Sequence, residues 1–389
     1  MDERLIARRS VLRGAATDLL GAAAVAASPS GALPATGSDR VPLWRIARRR
    51  GLVFGSSAAT WQLSDPDYRR LFAREAGALL TEDDLLWYRL KPTPDSALDF
   101  SYGDQIVAFA EQHGMPVVGA HLVWDQGFGE GWTDDDLWGL NRPDARHLLF
   151  GTLRRVVRHY AGRVAAWSVV NEATSPEGIR GLRTDVPWYE TIGPSYVARA
   201  FHIAHEADPE ALLMLNEFGF ETVNRYGDRP AACDSPGARS VAACRRTGAR
   251  SRDPGPPLAR DFALRFHENT YRAFLGEVAG RGLRILITEL DVLDSGLPAR
   301  PSSRDAAVAD VYRRYLHTAL AEPAVAAVLT FGLSDRYTWL EEDYPRRDGA
   351  HRRPLPFDRG LRPKPAYAAI AETLRRADAR SPLWGRASG

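Results

Sequence analysis

Two glutamates in this 389-residue sequence lie at the ends of apolar segments that are typical of buried parallel strands. Glu172 closes the segment 167–172 (WSVVNE), and Glu289 lies near the end of the segment 285–291 (ILITELD). Two facing carboxyl groups can cleave a glycosidic bond, because one protonates the leaving oxygen while the other acts at the anomeric carbon. A separation of about 5 Å between them implies retention of configuration, and a wider gap implies inversion. The alternative is that both glutamates only form ion pairs with arginines.

The rest of the chain predicts strands that would bring these glutamates together. From about residue 51, short apolar runs alternate with amphipathic stretches, which indicates a β/α repeat. Seven runs are predicted strands, at 52–54, 78–82, 116–122, 164–172, 211–218, 284–290 and 326–334. The predicted fold class is therefore α/β, a (β/α)8 TIM barrel, in which the carboxyl ends of all strands meet at one rim. Glu172 and Glu289 would then end the fourth and seventh strands.

The sixth strand of such a barrel should lie between residues 218 and 284, where the sequence is aberrant. The segment 229–257 is rich in arginine, proline and glycine, contains both cysteines, and has no long apolar run. Each proline removes a backbone donor that a central strand needs. We therefore expect an irregular segment, with 240–244 (SVAAC) as a makeshift strand if the gap is filled. The composition is typical of translation in a shifted reading frame, and the coding DNA read in all frames would test that hypothesis.

The two glutamate motifs and the closing segments 354–358 (PLPFD) and 363–367 (PKPAY) resemble glycoside hydrolase family 10, the (β/α)8 endo-β-1,4-xylanases. The likeness extends from about residue 51 to residue 374 and is interrupted at the aberrant segment. It implies that Glu172 is the acid/base, that Glu289 is the nucleophile, and that Asn171 binds the sugar 2-hydroxyl. It also implies retaining hydrolysis of xylan. No cofactor is expected, and no metal, because the histidines do not fall at ligand spacing.

Further site residues follow from partial matches to the family's motifs. The family's ENxMKW is EDDLLW at 82–87, its GHTLVWH is GAHLVWD at 119–125, and its WGxxDxxSW is FGLSDRYTW at 331–339. The resemblance assigns substrate contact to Glu82, Trp87, His121, Trp124, Phe331 and Trp339, with Asp291 and Asn216 supporting the catalytic groups. The two tryptophans of the first two motifs could instead pack in the barrel rim. His121 cannot simply replace the family's histidine at position 120, because neighbouring residues of a strand face opposite sides unless a bulge shifts the register. We expect His121 to be a hydrogen-bonded structural residue.

Several departures from the family fall where donors to the sugar are expected. Asp83 replaces an asparagine, Leu86 a lysine and Ala120 a histidine, and the family's sixth-strand QxH pair has no counterpart in the sequence. Two alternatives to the xylanase interpretation therefore stay open. One is a non-catalytic or weakly active glycan-binding barrel, and the other is a retaining hydrolase of another β-linked glycan. The two glutamates favour catalysis, because a binding protein needs no matched acid and nucleophile.

The amino-terminal region has the features of an export signal. Arg8 and Arg9 begin the motif RRSVLR, an alanine-rich stretch follows at 19–27, and small residues continue to Ala35. We expect export to the periplasm or the medium by the twin-arginine route, and the alternative is a disordered Ala/Ser/Pro leader. The predicted division is signal and linker at 1–45, a catalytic domain at 46–378, and a tail at 379–389.

Composition argues against other classes of partner. The 51 Lys and Arg residues are nearly balanced by 49 Asp and Glu residues, and no face or tail collects the positive charge that a nucleic acid needs. No later apolar run is long enough for a membrane span. The two cysteines make no disulfide framework. The expected partner is a polysaccharide, for which the ten tryptophans offer ring platforms, and we expect a monomer.

Overall fold

The computed structural model describes residues 40–179, 181–218, 240–247 and 266–384. Eight parallel strands form a closed barrel at its centre, which confirms the predicted (β/α)8 fold. A ninth strand lies outside the barrel, directly after the fourth. In chain order the strands are β1 Val53–Ala58, β2 Leu79–Thr81, β3 Val117–Gly119, β4 Val164–Asn171, β5 Thr174–Ile179, β6 Leu212–Phe218, β7 Ser240–Thr247, β8 Arg284–Val292 and β9 Val325–Thr330. The barrel omits β5 and closes where β9 pairs with β1.

Helices and short turns connect the strands. In the described residues the helices are α1 Leu43–Arg48, α2 Thr60–Leu63, α3 Pro66–Glu75, α4 Trp87–Leu90, α5 Ser101–Gln112, α6 Asp134–Trp138, α7 Arg142–His159, α8 Pro187–Ile192, α9 Tyr196–Ala207, α10 Glu268–Gly280, α11 Pro301–Leu320, α12 Leu340–Asp343 and α13 Pro365–Arg376. The apolar residues of α11 are buried, from Val308 to Ala319. The helix has Pro301 in its first turn, where a missing N–H costs nothing.

Alternating residues of the strands divide the core into two parts. Small and large apolar side chains fill the barrel interior: Leu80, Val118, Ala120, Ala166, Met214, Leu286, Ala327 and Leu329. The opposite faces of the same strands pack against the helices in a larger cluster, which includes Trp167, Ile287 and Val328. Gly119 leaves room for Trp167, whose ring lies 2.4 Å from where a Cβ would be. The two layers hold the carboxyl ends of the strands in fixed positions, which the site requires.

A strand lies at residues 240–247, where the sequence left 240–244 as a makeshift strand within a segment expected to be irregular. β7 pairs in parallel with β6 from Leu213 opposite Ser240 to Phe218 opposite Arg245, without a break in register. Its pairing with β8 shifts register twice beyond Cys244, so the strand is aberrant on that side. Backbone pairing accounts for the strand, because β6 and β8 would otherwise keep unpaired edges. The rest of the segment 229–257, and with it the expected irregularity there, lies outside the described residues.

Packed residues lie on both sides of the predicted domain boundaries. Leu43 of α1 is fully buried, and its N–H donates to Oε2 of Glu75 at 3.1 Å. After α13, the N–H of Arg380 donates to the carbonyl of Arg50 at 2.9 Å, and Trp384 packs against the inner core. Within the described ranges, none of the helices combines the length and hydrophobicity that a membrane crossing requires.

Candidate active site

β4 and β8 bring the two motif glutamates to the same rim of the barrel. Glu172 directly follows β4 and is 4% exposed, and Glu289 lies within β8 and is fully buried. Asn216 of β6 lies between the two strands' motifs. Its Nδ2 donates to Oδ1 of Asn171 at 2.7 Å and to Oε1 of Glu289 at 2.8 Å. One amide therefore contacts both the residue before the first glutamate and the second glutamate itself.

A hydroxyl from β8 fixes the orientation of that amide. Oγ1 of Thr288 donates to Oδ1 of Asn216 at 2.8 Å. Since a side-chain amide has one accepting and one donating end, this contact directs the NH2 group toward the carboxylate. Asn216 was expected to support the catalytic groups, and its three contacts join the motifs of the two glutamates. Oε1 of Glu289 therefore accepts a hydrogen bond from Asn216, as a carboxylate oxygen does.

Glu172 is held by contacts to both its side chain and its main chain. Nε1 of Trp124 donates to its Oε2 at 3.1 Å, and its N–H donates to the carbonyl of Asn216 at 2.9 Å. Its φ of 54° lies in the left-handed region, which a residue with a Cβ seldom adopts. Trp124 was expected to contact substrate, and the structure places its indole N–H on the first glutamate.

An ion pair that the sequence did not reveal lies behind Glu172. The guanidinium of Arg183 binds both carboxylate oxygens of Asp125, at 3.2 and 2.9 Å. Its Nη1 also donates to the carbonyl of Glu172 at 3.3 Å, and its Nε contacts Asp185 at 3.0 Å. Burial raises the pKa of Asp125, although Arg183 opposes that shift. The available signal was Asp125 itself, an aspartate where the family's motif has a histidine.

His121 faces the second glutamate. Its Nδ1 lies 2.7 Å from Oγ of Ser168, and its Nε2 lies 3.6 Å from Oε1 of Glu289. The expected hydrogen bond exists, and the alternation argument does not apply to this residue. β3 ends at Gly119, so His121 lies beyond the strand and is not bound to its alternation. Ala120 contributes to the barrel interior instead.

The predicted aromatic contacts divide into two kinds. Trp87 is 2% exposed, its Nε1 donates to the carbonyl of Leu122 at 3.0 Å, and its ring packs against Phe128, Trp132 and Trp188. This geometry favours the packing alternative over a sugar platform. Trp339 is half-buried and its Nε1 donates to Oδ2 of Asp291 at 2.6 Å, so its ring is tied to the strand of the second glutamate.

Residues 43–230 and 262–373 match the model of glycosyl hydrolase family 10. The chain belongs to this family. It is thus a glycoside hydrolase, and the gap in the match, from 231 to 261, covers most of the aberrant segment. Endo-1,4-beta-xylanase B of Thermotoga neapolitana is 31% identical over 349 residues, which are 88% of this chain and 94% of the relative. The crystal structure of native xylanase 10B from Thermotoga maritima superposes with a TM-score of 0.71 at 28% identity, covering 86% of this chain and 98% of that one.

A further solved relative was crystallised with a sugar. Xylanase 10B from Thermotoga petrophila RKU-1, in complex with xylobiose, superposes with a TM-score of 0.70 at 27% identity. The two chains are covered to 88% and 99%. The beta-1,4-xylanase of Dictyoglomus thermophilum is 28% identical over 344 residues, 82% of this chain and 88% of the relative. The family's barrel therefore extends over nearly the whole of the described chain.

This family member departs from the family's motif at the rim of β2. Glu82 accepts from Ser57 at 2.8 Å and from Gln62 at 2.9 Å, and burial together with the charge of Asp83 raises its pKa to about 8. Tyr88 donates to Oδ2 of Asp83 at 2.6 Å. Leu86 is 7% exposed. Asparagine and lysine at these two positions would each offer N–H donors, and neither aspartate nor leucine does.

The hairpin after Glu172 rests on a second carboxyl group. Glu217 of β6 is 4% exposed, and its Oε1 accepts from the N–H of Thr174 at 2.9 Å. Burial raises the pKa of Glu217 to about 7, although the hydrogen bond from Thr174 opposes that shift. The charge of Glu172 acts in the same direction as burial. Its contact to Thr174 holds the first residue of β5. Among the described residues, no group of three His, Cys, Asp or Glu side chains lies close enough together to hold a metal ion.

Proposed function

We propose that the protein is a retaining endo-β-1,4-xylanase in which Glu172 is the acid/base and Glu289 is the nucleophile. The observation that carries the proposal is the bridge made by Asn216, which joins Asn171 and Glu289 across the rim at 2.7 and 2.8 Å. The bridge supports the proposal, because it joins the end of β4 to β8 at one rim of the barrel. Two facing carboxyl groups are what glycoside cleavage needs.

The reaction proceeds in two steps. Glu289 attacks the anomeric carbon while the carboxyl of Glu172 gives its proton to the glycosidic oxygen, so that the C–O bond breaks and the shortened chain leaves with a new hydroxyl. The carboxylate of Glu172 then removes a proton from water, the water oxygen attacks the anomeric carbon, and Glu289 leaves as a carboxylate. Two inversions at the same carbon give net retention. We expect the two carboxyl groups to lie about 5 to 5.5 Å apart.

The choice of xylan is supported by the relatives. They include proteins named endo-1,4-beta-xylanase and beta-1,4-xylanase, and one solved structure holds xylobiose. We therefore place a xylan chain in the cleft between β4 and β8. Trp339 and Phe331, both half-buried, are proposed to line it.

Two variants and one spectrum test the mechanism. Glu289→Gln should abolish turnover of all substrates, whereas Glu172→Gln should spare aryl glycosides whose leaving group needs little protonation. Proton NMR of the fresh product should show the β-anomer first. An initial α-anomer, or equal losses of Glu172→Gln on both kinds of substrate, would contradict the assignment.

A different β-linked glycan is the second candidate substrate. It is favoured by Asp83 and Leu86, which leave the glycone side without two donors that the family's motif supplies. Xylan, mixed-linkage glucan, mannan and galactan should be assayed side by side. Turnover of one of the last three without turnover of xylan would overturn the substrate and leave the two-step mechanism standing.

We also propose that the protein is exported by the twin-arginine route and acts as a monomer. The support is the sequence itself, from Arg8 and Arg9 through the alanine-rich stretch at 19–27. Replacing both arginines by lysine should keep the protein inside the cell, with full-length protein in the cytoplasmic fraction. Secretion that is unaffected by the replacement would contradict this route. Sedimentation of the exported protein should give the mass of one chain.

A further inference from the structure

Arg183 ties two loops of the rim together beside the acid/base. It follows the hairpin of β5, where its N–H donates to the carbonyl of Ala173 at 2.8 Å. Its guanidinium reaches the loop after β3 and forms a two-point contact with Asp125. The side chains of Arg183 and Asp125 are only 12% and 11% exposed. Water therefore screens this ion pair weakly, and its geometry is well defined.

The same guanidinium reaches Glu172 by two routes. The first is direct, because Nη1 donates to the carbonyl of Glu172 at 3.3 Å. That residue has a φ of 54°, a conformation that persists only where the surroundings hold it. The second route passes through Asp125, which is adjacent in the chain to Trp124. The indole of Trp124 donates to Oε2 of Glu172 at 3.1 Å.

We propose that Arg183 is a positioning residue for proton transfer by Glu172. It holds the main chain of the acid/base through the carbonyl contact, and it holds the indole that orients the acid/base carboxyl through Asp125. Its guanidinium has no contact with Glu289 among the hydrogen bonds and ion pairs of the described chain. The inference rests on the proposed function, since it assigns Arg183 to one of the two catalytic glutamates and not to the other.

A positioning role for the acid predicts a dependence on the leaving group. A basic leaving group needs a proton from Glu172 as the C–O bond breaks, whereas an acidic phenol leaves without one. A small misplacement of the carboxyl should therefore slow the first kind of substrate and not the second. A purely structural role of Arg183 would lower the amount of active protein, and both substrates would then be affected equally.

The test compares Arg183→Gln with wild type on phenyl and dinitrophenyl β-xylobiosides. We expect kcat/KM for the phenyl glycoside to fall about 100-fold, and for the dinitrophenyl glycoside to change less than about 3-fold. The ratio of the two values is independent of the folded fraction, because both are measured on one preparation. Asp125→Asn should shift the ratio in the same direction by a smaller factor, since it keeps the shape of the pair and removes its charge.

Asp185→Asn is the matched control. Asp185 contacts the same guanidinium at 3.0 Å, but its side chain is 52% exposed, and it is not adjacent in the chain to Trp124 as Asp125 is. Its variant should leave the ratio unchanged. If wild type cleaves both glycosides and Arg183→Gln keeps the wild-type ratio, the positioning role is wrong and the proposed function stands. If wild type cleaves neither glycoside, xylan is the wrong substrate; if it also hydrolyses no other β-linked glycan, the proposed function is wrong and the positioning role is wrong with it.

Discussion

Asn216 contacts residues of both motifs that carry the two glutamates. It donates to Asn171 and Glu289 from one nitrogen and accepts from Thr288 at its oxygen. A fully buried amide with three such partners has little freedom to rotate. The position of the Glu289 carboxylate, the proposed nucleophile, therefore depends on a residue of β6, although Glu289 itself lies on β8.

Replacing Asn216 tests this dependence. Asn216→Ala removes the donor to Glu289, and we expect kcat/KM to fall about 10- to 100-fold on activated and unactivated glycosides alike. Equal losses are expected because the nucleophile acts on every substrate, in contrast to the acid/base. Thr288→Val, which removes only the hydroxyl that orients the amide, should show a smaller loss. A leaving-group dependence in Asn216→Ala would show that its main effect is on Glu172 instead.

Glu217 makes stability depend on pH. Its pKa is raised from 4.5 to about 7 in the folded protein, so between these values the folded chain holds a proton that the unfolded chain has lost. Its contribution is fully present below pH 4.5 and is lost as the pH rises toward 7. Glu217→Gln keeps an acceptor for Thr174. It should reduce the loss in the free energy of unfolding between low and neutral pH by up to about 3 kcal/mol. Urea unfolding of both proteins at pH 5 and pH 7.5 measures the difference, and parallel curves would contradict it.

At this scale, the sequence revealed the residues that carry motifs and missed those that act through distant pairs. Glu172 and Glu289 end recognisable strands, and their position at one rim follows from the barrel. Arg183 could not be found in this way, because its partner Asp125 is 58 positions away and a charged residue in a loop has many possible partners. The orientation of His121 could not be predicted, because the sequence does not show that β3 ends at Gly119.

Among the elements, the loop after β9 and the start of α13 are joined by a buried ion pair. Nζ of Lys364 lies 2.8 Å from Oδ2 of Asp335, and the N–H of Leu355 donates to Oδ1 of Asp335 at 2.9 Å. Burial raises the pKa of Asp335 to about 7, although Lys364 opposes that shift. The closing segments that resembled the family thus position the last helix of the barrel.

Removing one partner of this pair should cost more than removing both. Lys364→Met leaves the Asp335 charge buried without its cation, and we expect a loss of about 3 to 5 kcal/mol in the free energy of unfolding. The double variant Lys364→Met with Asp335→Asn removes both charges and should recover a large part of that loss. Denaturant unfolding of the three proteins gives the interaction energy. Additive losses would mean that the two side chains do not interact.

Strand prediction succeeded where the sequence is apolar and failed where other forces decide. The seven predicted strands all exist, because their buried runs are long enough to be specific. β5 was missed because its six residues, TSPEGI, include proline and glycine, which are typical of turns. β7 forms despite its composition, since closing the barrel satisfies the backbone groups of both neighbours. The free energy gained by this backbone pairing depends on the neighbouring strands, so the sequence of the segment does not predict it.

For the molecule as a whole, residues after α13 pack where α11 passes into β9. The guanidinium of Arg380 donates to the carbonyls of Leu320, Glu322 and Val325 at 2.9, 3.0 and 2.7 Å. These carbonyls lie where α11 ends and β9 begins. Close packing requires a glycine at Gly51, since a Cβ there would lie 1.8 Å from the carbonyl oxygen of Arg380. The residues after α13 therefore belong to the folded unit.

Truncation after Asp378, where the sequence placed the end of the domain, should therefore destabilise the protein. It removes Arg380 and leaves three carbonyl groups without their donor, and it uncovers the inner core that Leu383 and Trp384 cover. We expect the free energy of unfolding to fall by about 2 to 4 kcal/mol, because buried acceptors lose their donor and apolar surface becomes exposed to water. Truncation after Trp384 is the matched control, because it keeps every one of these contacts and should unfold like the full chain. Urea unfolding measures both proteins. If truncation after Asp378 left the midpoint unchanged, the residues 379–384 would be a tail without a role in the stability of the barrel.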